Sequence, residues 1–200
     1  MKYSKKLMEK FGKTVHTSKL DFGFIKKLIN WIINSKYRKS VRLTTWLKNQ
    51  IYVNHFELEE LSKNLKGLTN DITILNILKW VHSNITYKSD TSVWDMTEHW
   101  NEAVTTYNTK QGDCEDGAIL IYILARLAGI SPYQITIACG DVRGGGHAYI
   151  MYSADYDGID RYIDWCYYYD STRISNRKIK DVHYIKEWFR FNENSSYKMR

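Results

Sequence analysis

Gly112-Asp113-Cys114-Glu115-Asp116-Gly117-Ala118-Ile119-Leu120-Ile121-Tyr122-Ile123-Leu124-Ala125-Arg126-Leu127-Ala128-Gly129 is the stretch that decides the fold. From Ala118 onward it is apolar nearly all round, which predicts a helix buried in the middle of a domain rather than lying on its surface. Asp113 stands where an N-cap is needed, and Asp116, three residues on, can return the bond as an imperfect capping box. Gly129 supplies the C-terminal stop, so the helix is expected over about 114–128. Cys114 then falls at the first helical position, where free N–H groups and the helix dipole favour an anion and lower a thiol's pKa. Glu115 and Asp116 work against this, because neighbouring carboxylates disfavour a thiolate. A cysteine in such an acidic flank needs a cationic partner, or the acids must be occupied elsewhere.

Downstream the apolar period changes from helical to two. Ile135 and Ile137 alternate, His147, Tyr149 and Met151 oppose Ala148, Ile150 and Tyr152, and Tyr162, Asp164 and Cys166 oppose Ile163 and Trp165. Asp155-Tyr156-Asp157-Gly158 reads as the turn between the second and third of these strands. Helices first and antiparallel strands after give an α+β domain. His147 follows Gly144-Gly145-Gly146, a run that lets backbone pass close to another group. If the strand pairing sets His147 directly opposite Asp164, the carboxylate holds one imidazole nitrogen and leaves the other for Cys114. That is the logic of a thiolate nucleophile, an imidazole acid/base and an orienting carboxylate.

Upstream, residues 1–85 read as helical, with Asn70-Asp71 capping a helix that ends near Asn84. A short helix is expected around Glu98–Thr105. The first 50 residues hold 13 Lys/Arg against Glu9 and Asp21, whereas the rest of the chain is net acidic, within an overall charge of +7. This asymmetry suits an anionic partner, nucleic acid or a membrane surface, for residues 1–50. Phe24–Ile33 has the spacing of a basic amphipathic helix, whose apolar face packs on the domain or meets lipid. The organisation expected is a basic helical region over 1–69 followed by a catalytic domain over 70–200. No run approaches a membrane-spanning length and the basic N-terminus lacks the apolar run of a signal peptide, so a cytoplasmic protein without a transmembrane segment is expected. Three widely spaced cysteines (Cys114, Cys139 and Cys166) fit a reducing compartment. Together with His147 they lack the short spacing of a structural zinc shell. Asp113, Glu115 and Asp116 offer hard oxygen ligands of the kind calcium takes, but without an EF-hand pattern.

Gly112-Asp113-Cys114-Glu115-Asp116-Gly117-Ala118, Leu127-Ala128-Gly129-Ile130, His147-Ala148-Tyr149 and Tyr162-Ile163-Asp164 together resemble the transglutaminase-like superfamily, above all its bacterial cysteine proteinases. Trp94-Asp95-Met96-Thr97-Glu98 and the Ile77–Tyr87 segment are similar to the pieces that precede the nucleophile there, so the resemblance covers about residues 70–170. It implies a papain-like α+β core in which a central buried helix carrying Cys114 packs on a small antiparallel sheet carrying His147 and Asp164. It further implies a nucleophile at Cys114, a base at His147 and its orienter at Asp164, with a protein or peptide amide as substrate. The second oxyanion donor, beside the Cys114 amide, is expected from Trp94 or Gln111. No cofactor is required for this chemistry, although some such proteinases bind Ca2+ through acids that map to Asp113 and Glu115. Two positions depart from the pattern: Gly117 stands where a tyrosine is usual, and Trp165 where a proline usually follows the aspartate. Abundant Tyr, Lys, Asn and Ile with one proline fits an AT-rich, for instance viral, genome. The alternative expectation is a catalytically silent structural or virion-associated protein that binds its anionic partner through the basic region.

Overall fold

The computed structural model describes residues 42–53, 55–89 and 99–198. Helical backbone runs over residues 42–52 (α1), Phe56–Leu65 (α2) and Asn70–Asn84 (α3). The two-residue strand Thr86–Tyr87 (β1) follows. After it come helix Ala103–Thr109 (α4), strand Gln111–Gly112 (β2) and helix Cys114–Leu127 (α5). Strands Ile135–Val142 (β3), Gly145–Ser153 (β4), Asp160–Ile163 (β5), Tyr184–Phe191 (β6) and Ser196–Lys198 (β7) complete the described fold. The basic stretch before residue 42, including the Phe24–Ile33 face, lies outside the described residues.

Helix α5 is the axle of this arrangement. Every residue from Glu115 to Ala125 is buried, which explains why no polar stripe breaks its sequence. Burying each of its large aliphatic side chains contributes about 1.5–3 kcal/mol. Gly129 takes φ +99° just past its end, a conformation that other residues enter at a cost. Helices α2, α3 and α4 and strands β3 and β4 all pack on α5. Leu43, Leu47 and Leu58 join the same core as α5 and the inner faces of the strands. The N-cap of α3 is Thr69, whose hydroxyl accepts the Ile72 amide, rather than the Asn70-Asp71 pair expected from sequence. Asp71 serves instead as an acceptor for Tyr152 Oη and the Asp155 amide, tying the helix start to the end of β4.

The sheet is antiparallel throughout, in the order β5-β4-β3-β6-β7. Its core face carries Ala148, Ile150, Tyr152 and Ile163 against α5. Tyr149 and Met151 form a second apolar group with Ala138, backed by Tyr162 and Tyr184. Three expectations are corrected. The last strand before the site stops at Ile163 and does not run on through Asp164 and Cys166. Its pairing with β4 ends at Ile150↔Ile163, so His147 is not directly opposite Asp164. The short helix expected at Glu98–Thr105 begins only at Ala103 and continues to Thr109. Strands β6 and β7 and the parallel β1–β2 pair add to what the periodicity had indicated.

Candidate active site

The start of α5 is fixed by two sets of bonds. Asp113 and Asp116 form a reciprocal capping box, with the Asp113 amide reaching Asp116 Oδ2 at 3.4 Å. Asp116 is held in turn by Asn101, whose amide and side-chain nitrogen donate to its two oxygens at 2.8 and 2.6 Å. Burial pushes the Asp116 carboxyl up to about 6 in spite of these bonds. Just before the cap, the β1–β2 pair places Gly112 beside Tyr87. A Cβ on Gly112 would come within 2.6 Å of Asp116 Cβ, so the glycine is required by the close approach.

Cys114 therefore sits where the sequence puts it, at the first position of α5, and it is half-buried. Its Sγ donates to Glu115 Oε2 at 3.0 Å. Burial first, and then the charge and hydrogen bond of Glu115, push the thiol well above its ordinary range; the amide of Ala148 pulls the other way. The ligand atoms of Asp113, Cys114 and Glu115 lie within 4.8 Å of one another. Two buried carboxylates this close to each other and to a thiol create a demand for positive charge. In charge and hardness the pair suits a hard divalent cation such as calcium, which takes carboxylate oxygens.

The second half of the site is built on the sheet. His147 Nε2 bonds Asp164 Oδ2 at 2.7 Å, and both side chains are almost wholly removed from solvent. The contact spans a diagonal beyond the paired residues of β4 and β5, which is within reach of long side chains on one face. Asp164 accepts on both oxygens: Oδ2 also takes Tyr184 Oη at 2.7 Å, and Oδ1 takes the amides of Cys166 and Tyr167 at 3.2 and 3.1 Å. Burial alone would raise its pKa. The hydrogen bond and charge of His147, with those from Tyr167 and Tyr184, hold it below the usual carboxylate range instead. The Cys166 thiol joins this cluster, its sulfur within 4.8 Å of the His147 and Asp164 ligand atoms. Because the imidazole and the carboxylate already bond each other, the cluster is a hydrogen-bonded network. Tyr167 lies against His147, with ring centroids 5.3 Å apart.

The two halves meet through the residues next to the dyad. The backbone of Ala148, which follows His147, lies near enough to Cys114 to pull its thiol pKa downward. Trp165, which follows Asp164, turns its indole Nε1 to the Cys114 carbonyl at 3.4 Å. Asp164 occupies Nε2, so Nδ1 is the imidazole nitrogen left for other chemistry. Trp165 also explains both departures noted above: a Cβ on Gly117 would lie 2.1 Å from its Nε1. The large residue after the aspartate and the small one in the helix occupy a single space. Tyr87 stands at the rim, half exposed, its ring 5.9 Å from that of Trp165. Burial raises its phenol, and the negative groups of Cys114, Cys166, Asp113 and Glu115 add to the rise.

Gln111 lies half-buried in β2, three residues before Cys114, and Trp94 falls outside the described residues. Cys139 is buried on β3 and belongs to neither donor cluster. Sequence reasoning missed Tyr184 and the Tyr167 amide. The aromatic-rich run Tyr184–Phe191 signals a strand, but nothing in it announces a contact with Asp164.

The site thus sets a thiol at the head of a buried helix beside a sheet that presents a histidine–carboxylate pair. Residues 59–155 match the core of the transglutaminase-like superfamily, and this chain carries that superfamily's fold. Two structures of LapG from Legionella pneumophila are similar to it at a TM-score of 0.55 and 16% identity, each aligned over 78% of this chain. The alignment covers 84% of the EGTA-treated LapG chain and 87% of the other. The UPF0252 protein MJ1282 of Methanocaldococcus jannaschii is 36% identical over 90 residues, 41% of this chain. The matched stretch spans about a quarter of that relative's length. No helix among the described residues is long and apolar enough to cross a membrane.

Proposed function

We propose that this chain is a cysteine hydrolase or acyltransferase of the transglutaminase-like type, acting on amide bonds of a protein or peptide, with hydrolysis favoured over cross-linking. The observation that carries the reading is the buried His147–Asp164 bond of 2.7 Å, joined to the head of the Cys114 helix by the indole of Trp165, which follows Asp164 and reaches the Cys114 carbonyl at 3.4 Å. In this reading the Cys114 sulfur adds to the amide carbonyl carbon while its proton passes to His147 Nδ1. The Cys114 amide is one donor to the resulting oxyanion, a contribution worth about 3 kcal/mol for one donor in well-studied cases. Gln111, in β2, and Trp94 are the candidates for the second. His147 then protonates the departing amine, leaving a thioester on Cys114. Water, deprotonated by His147, releases the acid and restores the thiol; a primary amine in its place would give transamidation. Asp164 stays ionised and keeps the imidazole in the required tautomer.

A bound calcium ion belongs to the same proposal. Asp113 and Glu115 would hold it, and its charge would offset theirs beside the nucleophile. Glu115 engaged by a cation would no longer accept from the Cys114 thiol.

The reading is tested by incubating the protein with a proteome-derived peptide mixture and hydroxylamine, with and without calcium, and following products by mass. New N-termini together with hydroxamates at the matching C-terminal ends support an acyl-enzyme, provided Cys114→Ser abolishes both. Turnover that survives Cys114→Ser, or a protein that forms no hydroxamate in either condition, overturns it.

A further inference from the structure

The Cys166 thiol donates to Asp164 Oδ1 at 3.8 Å, and among the described residues Tyr184 is the one side chain besides His147 that bonds the other carboxylate oxygen. It reaches Oδ2, the same oxygen that His147 Nε2 uses, and both distances are 2.7 Å. It comes from β6, a strand separated from β4 by β3, so its approach is independent of the β4–β5 pairing that carries the dyad. Its ring is fixed on two sides. It stacks on Tyr162 at 4.0 Å with 5° between planes, and meets Tyr149 edge-on at 4.9 Å. Such a ring cannot swing without breaking both contacts, so its hydroxyl is aimed at a fixed point. With the Cys166 and Tyr167 amides and the longer bond from the Cys166 thiol on Oδ1, five donors converge on one buried carboxylate, which uses its acceptor capacity in full.

We propose that Tyr184 is a positioning residue that acts through Asp164 on His147. This rests on the assignment of His147 as the acid/base, and it has two consequences. The hydroxyl pins Oδ2, and thereby the plane and tautomer of the imidazole, in the way an outer hydrogen bond orients a functional histidine. It also competes with His147 for the charge on Oδ2. A carboxylate that already receives a phenolic O–H holds an imidazolium less strongly, so Tyr184 keeps the His147 proton available for transfer. Tyr162 provides the internal control. It belongs to the same stack and carries the same hydroxyl, but its contact with Tyr184 is through the rings.

The test compares wild type, Tyr184→Phe and Tyr162→Phe in the full chain. The His147 ring is titrated by nitrogen-15 NMR, and Cys114 alkylation is followed against pH by peptide mass. Both variants keep the ring, and a thermal melt checks that both fold. Tyr184→Phe is expected to move the His147 midpoint upward by about half to one pH unit, the scale of a lost hydrogen bond to its partner. The alkylation profile should move the same way with a lower plateau. Tyr162→Phe should move neither. A His147 midpoint unchanged in Tyr184→Phe, or moved equally by both variants, overturns the proposal. If Cys114 alkylation is indifferent to His147→Ala, the nucleophile assignment fails, yet the NMR titration still decides the role of Tyr184.

Discussion

Replacing Glu115 by Gln should awaken the Cys114 thiol. In the structure that thiol donates to Glu115 Oε2 at 3.0 Å, and the carboxylate is buried with it. With its charge shared between two oxygens, the mean separation from a thiolate is about 4 Å. At an effective dielectric near 20, that repulsion is about 4 kcal/mol. Glutamine removes it while keeping the shape of the side chain, which raises the thiolate population at a fixed pH by about a thousandfold. A thiolate of lower basicity is also a weaker nucleophile, and that offsets roughly half of the gain on a logarithmic scale. The net expectation is an alkylation rate about thirtyfold faster at neutral pH. The assay is iodoacetamide labelling in EGTA, read by peptide mass, with Cys139 and Cys166 as standards in the same molecule. The further expectation is that calcium accelerates wild-type Cys114 but leaves Glu115→Gln unchanged, since both remove the same charge. An unchanged Cys114 rate in Glu115→Gln would show that burial alone silences the thiol, and the electrostatic reasoning would fall.

Other consequences can be checked separately. His147→Ala and Asp164→Asn should each slow Cys114 labelling in the calcium-loaded protein, His147→Ala more, because it removes the imidazole itself; equal labelling in all three proteins would overturn the proposed triad. Gly117→Ala should destabilise by about 1–3 kcal/mol through overpacking, since its Cβ would lie 2.1 Å from Trp165 Nε1. In a Trp165→Ala background the same change should be neutral or stabilising, and a denaturation double-mutant cycle measures that coupling. Asp116 titrates near 6 in the fold against 3.8 in the unfolded chain, so the native state binds its proton more tightly. Stability should accordingly fall, by about 3 kcal/mol at most, as pH rises through that window. Urea titrations on either side of it test this: Asp116→Asn should have a lower stability but lack the slope, and a slope retained in the variant would assign it elsewhere.

Much of this protein is legible without coordinates. Helix α5 announces itself by an apolar surface with no polar stripe, a capping box at its head and a glycine past its end, because these are local properties of consecutive residues. The placement of Cys114 follows from the same local rules. The alternation that opens β4 likewise puts His147 at the head of a strand. Contacts that depend on register and on distant chain are a different matter. Period-two alternation cannot say where a strand stops, so Asp164 read as part of β5 when it follows the last paired residue. Gly117 and Trp165 looked like two separate departures from a pattern; only their meeting in space makes them one exchange of volume. Tyr184 carries no mark in the sequence, since a strand residue gains its role from whatever the neighbouring strands bring before it. The sequence by itself determined the residue types and the helix that bears Cys114, through short-range sterics, capping and burial. The tertiary structure alone decided which donors share the Asp164 carboxylate and that the Cys114 thiol rests on Glu115, because those are set by side chains packing across the sheet and at the helix head.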